Sequence, residues 1–334
     1  MFQDKISLAQ YVDEITFGDC LDLFKAIPAK SSQVSFADPP FNLDKKYEGG
    51  IIDRKKHEEY IEWSKLWLGE MVRVTKDDGS IFVHHIPKYL IEYAAHLNPK
   101  AVFKNWIAWD APAGPMGKGL QPRHYGILYY GVTEKPKFYQ LRHAHKYCIR
   151  CKRIAKDWGG KKDRIPLFGS LTGDCWTDIH RIKHGQHEKL HHPCILPVHL
   201  MERLILMSSD EGDIILDPFM GTGTTALAAK HLGRKYIGFE LSQPYQKTAE
   251  GQLKQDNFSG KVGNSWVGFF RGEPLTIREQ DWPDLEQYFS IPKDRKDLDR
   301  GRLMLKPEFR PKKIGKTWVR GEKIGEDSPG GAPL

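Results

Sequence analysis

The sequence predicts an α/β protein built on a mainly parallel sheet, and three observations predict it. Short apolar runs rich in β-branched and aromatic residues alternate along the chain with stretches of helical periodicity. One run, "IILD" at 214–217, passes through a glycine-rich turn directly into a helical pattern, the order of a βα unit. Another, "VSFA" at 34–37, stops at Asp38-Pro39-Pro40, which neither a helix nor a sheet ladder can continue. Strands are therefore expected near 34–37, 80–84, 102–109, 127–132, 214–216 and 236–239.

Helices fill the intervals. In "HEEYIEWSKLWLGEMVRV" the residues Tyr60, Trp63, Trp67, Leu68 and Met71 recur at spacings of three and four, which gives one apolar stripe and assigns both tryptophans to the core. "PVHLMERLILMSS" and "TTALAAKHLGR" read as helices too, the second stopping at Gly233 among basic residues. Between about 110 and 190 the pattern dissolves into Gly, Pro, His and basic residues, too long for an ordinary connection, so an inserted region is expected. Beyond about 255 the periodicity fades again, and "GEDSPGGAPL" reads as a frayed tail. The expected organisation is one domain in two halves, 1–110 and 191–255, split by an insert at 111–190 and followed by a basic extension at 256–334.

Composition narrows the function. A chain of 334 residues, 40% of them hydrophobic, can bury a full core. The amino-terminal sequence lacks a basic start followed by an apolar run, and nowhere do about 18 apolar residues run together, so a cytoplasmic protein with no membrane partner is expected. Five cysteines form no disulfide framework. The formal charge of +8 favours polyanionic partners. That charge is concentrated: residues 135–189 carry roughly fourteen Lys/Arg against five Asp/Glu, and 293–323 roughly twelve against five.

Two motifs carry the chemistry. In "DPFMGTGTT" at 217–225, Gly221 and Gly223 let the backbone approach a ligand, and the helix from Thr224 offers unpaired N–H groups. Glu240, at the end of the next strand, is placed to bind the ribose hydroxyls of an adenosine cofactor. The string 221–226 also fits the relaxed dinucleotide pattern GxGxxA, so an NAD-dependent oxidoreductase is a rival reading. Asp217, however, would set a like charge against a pyrophosphate, whereas S-adenosylmethionine carries a sulfonium and an ammonium and no phosphate. A Walker Gly-Lys-Ser/Thr is absent, which disfavours nucleotide hydrolysis.

The other motif, "DPPF" at 38–41, suits the exocyclic amine of a nucleobase, a poor nucleophile because its lone pair is delocalised into the ring. Asp38 can accept one hydrogen and the Pro39 carbonyl the other, with Pro40 biasing Pro39 to an extended conformation. Phe41 would then stack on the base, a contact of about 1–3 kcal/mol, comparable to the cost of flipping a nucleotide out of a duplex.

Together these strings resemble the DNA amino-methyltransferases that modify adenine N6 or cytosine N4, in the β-class order with the catalytic motif first and a long insert between. "FGDCLDLFKAIP" is similar to the segment whose acid, here Asp19, approaches the cofactor's adenine. "RVTKDDGSIFVHH" resembles the helix-turn-strand after the catalytic motif, and "HHPCILPVHLMERLI" the helix that touches the methionine portion. The resemblance covers about residues 16–250. It implies a methyltransferase-type, Rossmann-like sandwich with helices on both faces and a circularly permuted motif order.

Under that resemblance S-adenosylmethionine is the methyl donor, leaving as S-adenosylhomocysteine. The implied catalytic residues are Asp38, Pro39, Pro40 and Phe41. Asp19, Asp38, Asp217, Pro218, Phe219, Gly221, Gly223, Thr224, Thr225 and Glu240 would hold the donor. The substrate implied is double-stranded DNA, read by the insert, in a prokaryotic or phage-like setting; a homodimer and a companion restriction endonuclease are partners the resemblance allows. Asp38, where cytosine-N4 enzymes more often carry Ser, favours adenine N6, with cytosine N4 the alternative. Two departures stand out: "HPCILP" replaces the Gln-Lys found in many adenine members, and Phe41 replaces the more frequent Tyr.

The insert's basic residues are interleaved with Tyr147, Trp158 and Trp176, a composition that suits phosphate contacts and groove readout. Within it, His143, His145, Cys148 and Cys151 make half a zinc knuckle that Cys175 would complete; a reduced, unmetallated cysteine pair is the other reading, and no metal ligand is assigned. Cys20 and Cys194 are expected to pack. A non-catalytic zinc-dependent DNA-binding module and an RNA substrate are the remaining rivals.

Overall fold

The computed structural model describes residues 8–45, 50, 53–111, 119–143, 170–177, 179, 195–255, 289–290, 304–305, 312–314 and 317–319. The chain divides into two compact units, residues 1–139 with 173–262, and residues 140–172 with 263–334.

In chain order the first unit contains β1 (Glu14–Phe17), α1 (Cys20–Phe24), β2 (Ser32–Ala37), α2 (His57–Val74), β3 (Thr75–His85), α3 (Pro87–Leu97), β4 (Val102–Asp110) and β5 (His124–Gly131). After β6 (Arg142–His143) and β7 (Ser170–Leu171) of the second unit, the first resumes with β8 (Cys175–Trp176), α4 (Val198–Ser208), β9 (Ile214–Asp217), α5 (Thr224–His231), β10 (Lys235–Glu240) and α6 (Gln243–Gln255). Eight strands form one sheet in the order β1-β10-β9-β2-β3-β5-β4-β8. All neighbours pair in parallel except β5, which runs antiparallel to both β3 and β4.

The two helix layers follow from the connections. α1, α2 and α3 pack together on one face of the sheet, and α4, α5 and α6 on the other. On the first face Ile81, Val83, Leu128 and Tyr130 meet Tyr60, Trp67, Leu68 and Met71 of the α2 stripe in one buried cluster. Trp67 is fully buried, while Trp63 is partly buried against the same cluster, so both tryptophans pack as expected. α3 starts with Pro87 in its first turn, where a missing N–H costs nothing. Among the described residues no helix is long and apolar enough to cross a membrane.

Every strand expected from the sequence is present, and the one expected at 80–84 reaches back to Thr75. The turn expected after α2 lies inside that stretch, since a Cβ at Gly79 would come within 2.5 Å of Thr75 Cγ2 and 2.9 Å of the Lys76 carbonyl oxygen, a fold-back that straight extended chain does not allow. Side chains of β2 hold it there: Gln33 Nε2 donates to the Asp78 carbonyl (3.1 Å), and the Ser35 and Thr75 hydroxyls lie 2.7 Å apart. The extra length is absorbed by a bulge, since Ser32 pairs with Thr75 but Val34 with Ser80.

β2 and β9 lie side by side at the centre, and the chain leaves them in opposite directions, through α2 to β3 and through α5 to β10. This is the point of a doubly wound sheet where a crevice opens beyond the carboxyl ends of the strands. Both sequence motifs end there.

The second unit contains three antiparallel pairs: β6 with β7, β11 (Phe289–Ser290) with β12 (Met304–Leu305), and β13 (Lys312–Ile314) with β14 (Thr317–Val319). Most of the expected insert and of the basic extension lies outside the described residues.

Candidate active site

β2 is buried along its whole length and delivers Asp38 to the crevice, where its side chain keeps 18% exposure. His84, at the end of the neighbouring β3, places Nδ1 2.7 Å from Asp38 Oδ1. Pro39 is buried, and among the described residues no hydrogen bond reaches its carbonyl. The next carbonyl is taken, because the Tyr60 hydroxyl donates to the Pro40 oxygen (2.5 Å).

Behind that bond stands a short chain of fixed direction. The Ile86 N–H donates to His85 Nδ1 (2.8 Å), so the ring hydrogen sits on His85 Nε2, which donates to Tyr60 Oη (2.8 Å). Burial, with the neighbouring His84 adding, holds the His85 pKa well below the usual histidine range, in keeping with a neutral ring. Phe41 stacks on that ring with centroids 4.3 Å apart and is itself only 9% exposed. Tyr125 of β5 comes within 5.8 Å of Phe41 and 5.2 Å of His84.

The glycine-rich turn is stapled by Asp217. Its carboxylate accepts from the Phe219 N–H (2.9 Å) and from the Thr225 hydroxyl (2.5 Å), closing the loop over Pro218 and into α5 at Thr224. Gly223 has φ +90°, and a Cβ there would lie 2.8 Å from that of Ala249. The Phe219 ring packs edge-on against Trp63 (5.7 Å) and Trp67 (5.2 Å), which fastens the turn to α2. Glu240 accepts from the N–H groups of Gly221 and Ser242, both at 2.7 Å. Asp19 caps α1 by accepting from the Leu21 N–H (2.8 Å), and the Gly18 N–H donates to the Glu240 carbonyl (3.0 Å).

Sheet order turns these details into a row. β1, β10, β9 and β2 are successive strands, and their carboxyl ends bear Asp19, Glu240, Asp217 and Asp38 in that order. Among the described residues no Lys or Arg pairs with any of the four. Burial first, then the charges of Asp38 and Glu240, push the Asp217 pKa up to about 7, and burial raises Glu240 as well. A cationic ligand relieves that repulsion and a pyrophosphate aggravates it. The residues present thus fit S-adenosylmethionine and not a dinucleotide.

Most residues expected from the two motifs meet at this sheet end, although Phe41 leans on His85 rather than standing free. Sequence reasoning missed His84, His85, Tyr60 and Tyr125. A signal existed for the first two, since "FVHH" ends the strand beside the one that carries Asp38. Among the described residues no group of three or more His, Cys, Asp and Glu is arranged to hold a metal. His145, Cys148, Cys151, Tyr147, Trp158 and Cys194 lie outside the described residues, as does the His143 side chain. Cys175 is exposed, whereas Cys20 packs as expected, burial pushing its pKa up to about 12.

Comparison with known proteins agrees with this geometry. The DNA methylase family of the N6/N4 type matches residues 33–251. The Type II methyltransferase M.BamHI of Bacillus amyloliquefaciens is 42% identical over 275 residues, which are 80% of this chain and 64% of that protein. The chain thus spans somewhat under two thirds of that relative's length. The DNA adenine methyltransferase YhdJ of Escherichia coli is 30% identical over 245 residues, 70% of this chain and 80% of that protein. The solved PvuII DNA methyltransferase, described as cytosine-N4-specific, shares the fold with a TM-score of 0.54 at 18% identity, covering 76% of this chain and 91% of that one.

Proposed function

The chain belongs to the N6/N4 DNA methylase family, and from that premise we propose that it methylates the exocyclic amino group of a base flipped out of double-stranded DNA, with adenine N6 as the acceptor. The cofactor is S-adenosylmethionine, which supplies a methyl group on a cationic sulfur and leaves as S-adenosylhomocysteine. Glu240 and Asp19 would hold its adenosine end, and the turn Asp217–Thr225 its methionine end.

The observation that carries the reading is the pattern of free and occupied acceptors at residues 38–40. Asp38 Oδ1 and the Pro40 carbonyl are engaged by His84 and Tyr60, while Asp38 Oδ2 and the Pro39 carbonyl have no bond among the described residues. Two acceptors on the two N–H groups draw an amine towards tetrahedral geometry and turn its lone pair outwards. Asp38 also offers the place where the amine's surplus proton is shed once nitrogen has gained its fourth bond. Rate enhancement then comes from positioning and fixed electrostatics, with no covalent enzyme intermediate.

Asp38, in place of the serine more frequent in cytosine-N4 enzymes, supports adenine. A cytosine N4 amine presents the same two hydrogens to the same two acceptors, and this is the second reading. The basic composition of 111–190 and of 256–334 supports DNA recognition by those segments. A restriction endonuclease of the same specificity is the expected companion in a bacterial cell. Incubating the protein with unmethylated bacteriophage DNA and methyl-tritiated S-adenosylmethionine tests the activity: label should enter DNA with the wild type and not with Asp38→Ala.

A further inference from the structure

We propose that His84 is a positioning residue for this transfer, pinning one oxygen of Asp38 so that the other, with the Pro39 carbonyl, meets the amine. The inference rests on the amine-transfer reading above.

Side chains alternate along β3. Val83 belongs to the core cluster under α2 and α3, and His85 reaches Tyr60 of α2, so His84 faces the opposite side of the sheet. There its side chain is 3% exposed, caged by Phe41, Tyr125 and Trp109 at ring distances of 5.5, 5.2 and 5.7 Å. An ionised carboxylate can only accept, so the hydrogen of the 2.7 Å contact with Asp38 Oδ1 sits on Nδ1. The other ring nitrogen, Nε2, is buried and has no hydrogen-bond partner among the described residues.

A phenylalanine would fill the same aromatic cage without leaving Nε2 unpaired. The contact of Nδ1 with Asp38 is therefore what a histidine, and not a phenylalanine, supplies here. Asp38 needs such a hold, because no Lys or Arg among the described residues pairs with it. A rigid donor on one oxygen fixes the plane of the carboxylate and leaves the remaining oxygen with a defined aim. His85 carries its hydrogen on the other ring nitrogen and serves the other side, through Tyr60 to Pro40. The adjacent histidines thus occupy Asp38 Oδ1 directly and the Pro40 carbonyl through Tyr60, leaving Asp38 Oδ2 and the Pro39 carbonyl open.

The test compares His84→Phe, which keeps the filling and removes the donor, with His84→Asn, whose amide N–H stands where Nδ1–H does. The readout is single-turnover transfer from S-adenosylmethionine to unmethylated bacteriophage DNA at saturation, with cofactor affinity by calorimetry. His84→Phe should slow transfer about tenfold to a hundredfold with cofactor affinity kept within about twofold, and His84→Asn should stay within about fivefold of wild type. Wild-type transfer by His84→Phe, or an equal loss in both variants, overturns the inference. Should His84→Phe lose cofactor binding, His84→Asn decides, a retained rate supporting the role and a lost one refuting it. Failure of the underlying reading looks different: the wild type transfers no methyl to DNA, or Asp38→Ala transfers normally.

Discussion

At the scale of single residues, the crevice is a place where carboxylates are crowded and their protons therefore count. The Asp217 pKa is raised from an ordinary aspartate value to about 7, so the folded protein holds a proton that the unfolded chain has released. The stability this proton contributes is present below the ordinary aspartate range and is lost as pH rises through about 7. Thermal midpoints of the ligand-free protein between pH 5 and 8 should accordingly fall more steeply for the wild type than for Asp217→Asn; parallel curves would contradict the raised pKa. A bound cation favours the ionised form, so affinity for S-adenosylmethionine should climb between pH 6 and 8 in the wild type and stay nearly level in Asp217→Asn. The reacting tetrapeptide and the glycine-rich turn were legible because each is a short contiguous string whose residue types admit few chemistries. His84 was legible only as one of two histidines that close a strand; that it meets Asp38, 46 positions away, follows from the pairing of β2 with β3.

At the scale of elements, α2 does two jobs through one face. Its apolar stripe buries Trp67, Leu68 and Met71, and the same face presents Tyr60 to the Pro40 carbonyl. Tyr60→Phe keeps the ring and strands both that carbonyl and His85 Nε2–H, a loss of about 1–3 kcal/mol that urea unfolding should detect, together with slower methyl transfer. Unchanged stability would mean that the chain from Ile86 to Pro40 holds nothing. At the start of α5, Gly223→Ala combines a left-handed backbone with a 2.8 Å contact to Ala249. It should cost about 1–2 kcal/mol for the backbone alone, and more if α6 cannot shift. The long elements announced themselves by period, α2 to the residue. β1 and α1 are four and five residues long, too short for any period to show. α3 had a usable signal in Pro87 and the spacing of Tyr89, Leu90, Tyr93 and Leu97; the turn expected after α2 is found as the bulge between Thr75 and Ser80.

At the scale of the whole molecule, the sheet sorts charge. Its carboxyl ends gather four acids where a cationic cofactor fits, while the chain as a whole carries +8. Binding to DNA should therefore weaken by about 10³–10⁵ between 50 and 200 mM salt if six to ten phosphates are contacted, whereas cofactor affinity should change far less. Fluorescence anisotropy on a labelled duplex, run beside calorimetry, separates the two. Fold class was readable at this scale because short apolar runs alternate with helical periods along the chain; the acceptor base was not, because adenine N6 and cytosine N4 ask for the same pair of acceptors. The central claim is that Asp38 and Pro39 direct a methyl group to an exocyclic amine. Its most direct test is to methylate unmodified DNA with methyl-deuterated S-adenosylmethionine, digest to nucleosides and identify the labelled one by mass spectrometry. The account predicts label on an exocyclic nitrogen, N6-methyladenine first and N4-methylcytosine second, absent with Asp38→Ala; label on carbon 5 of cytosine, or on an amine regardless of Asp38, would contradict it.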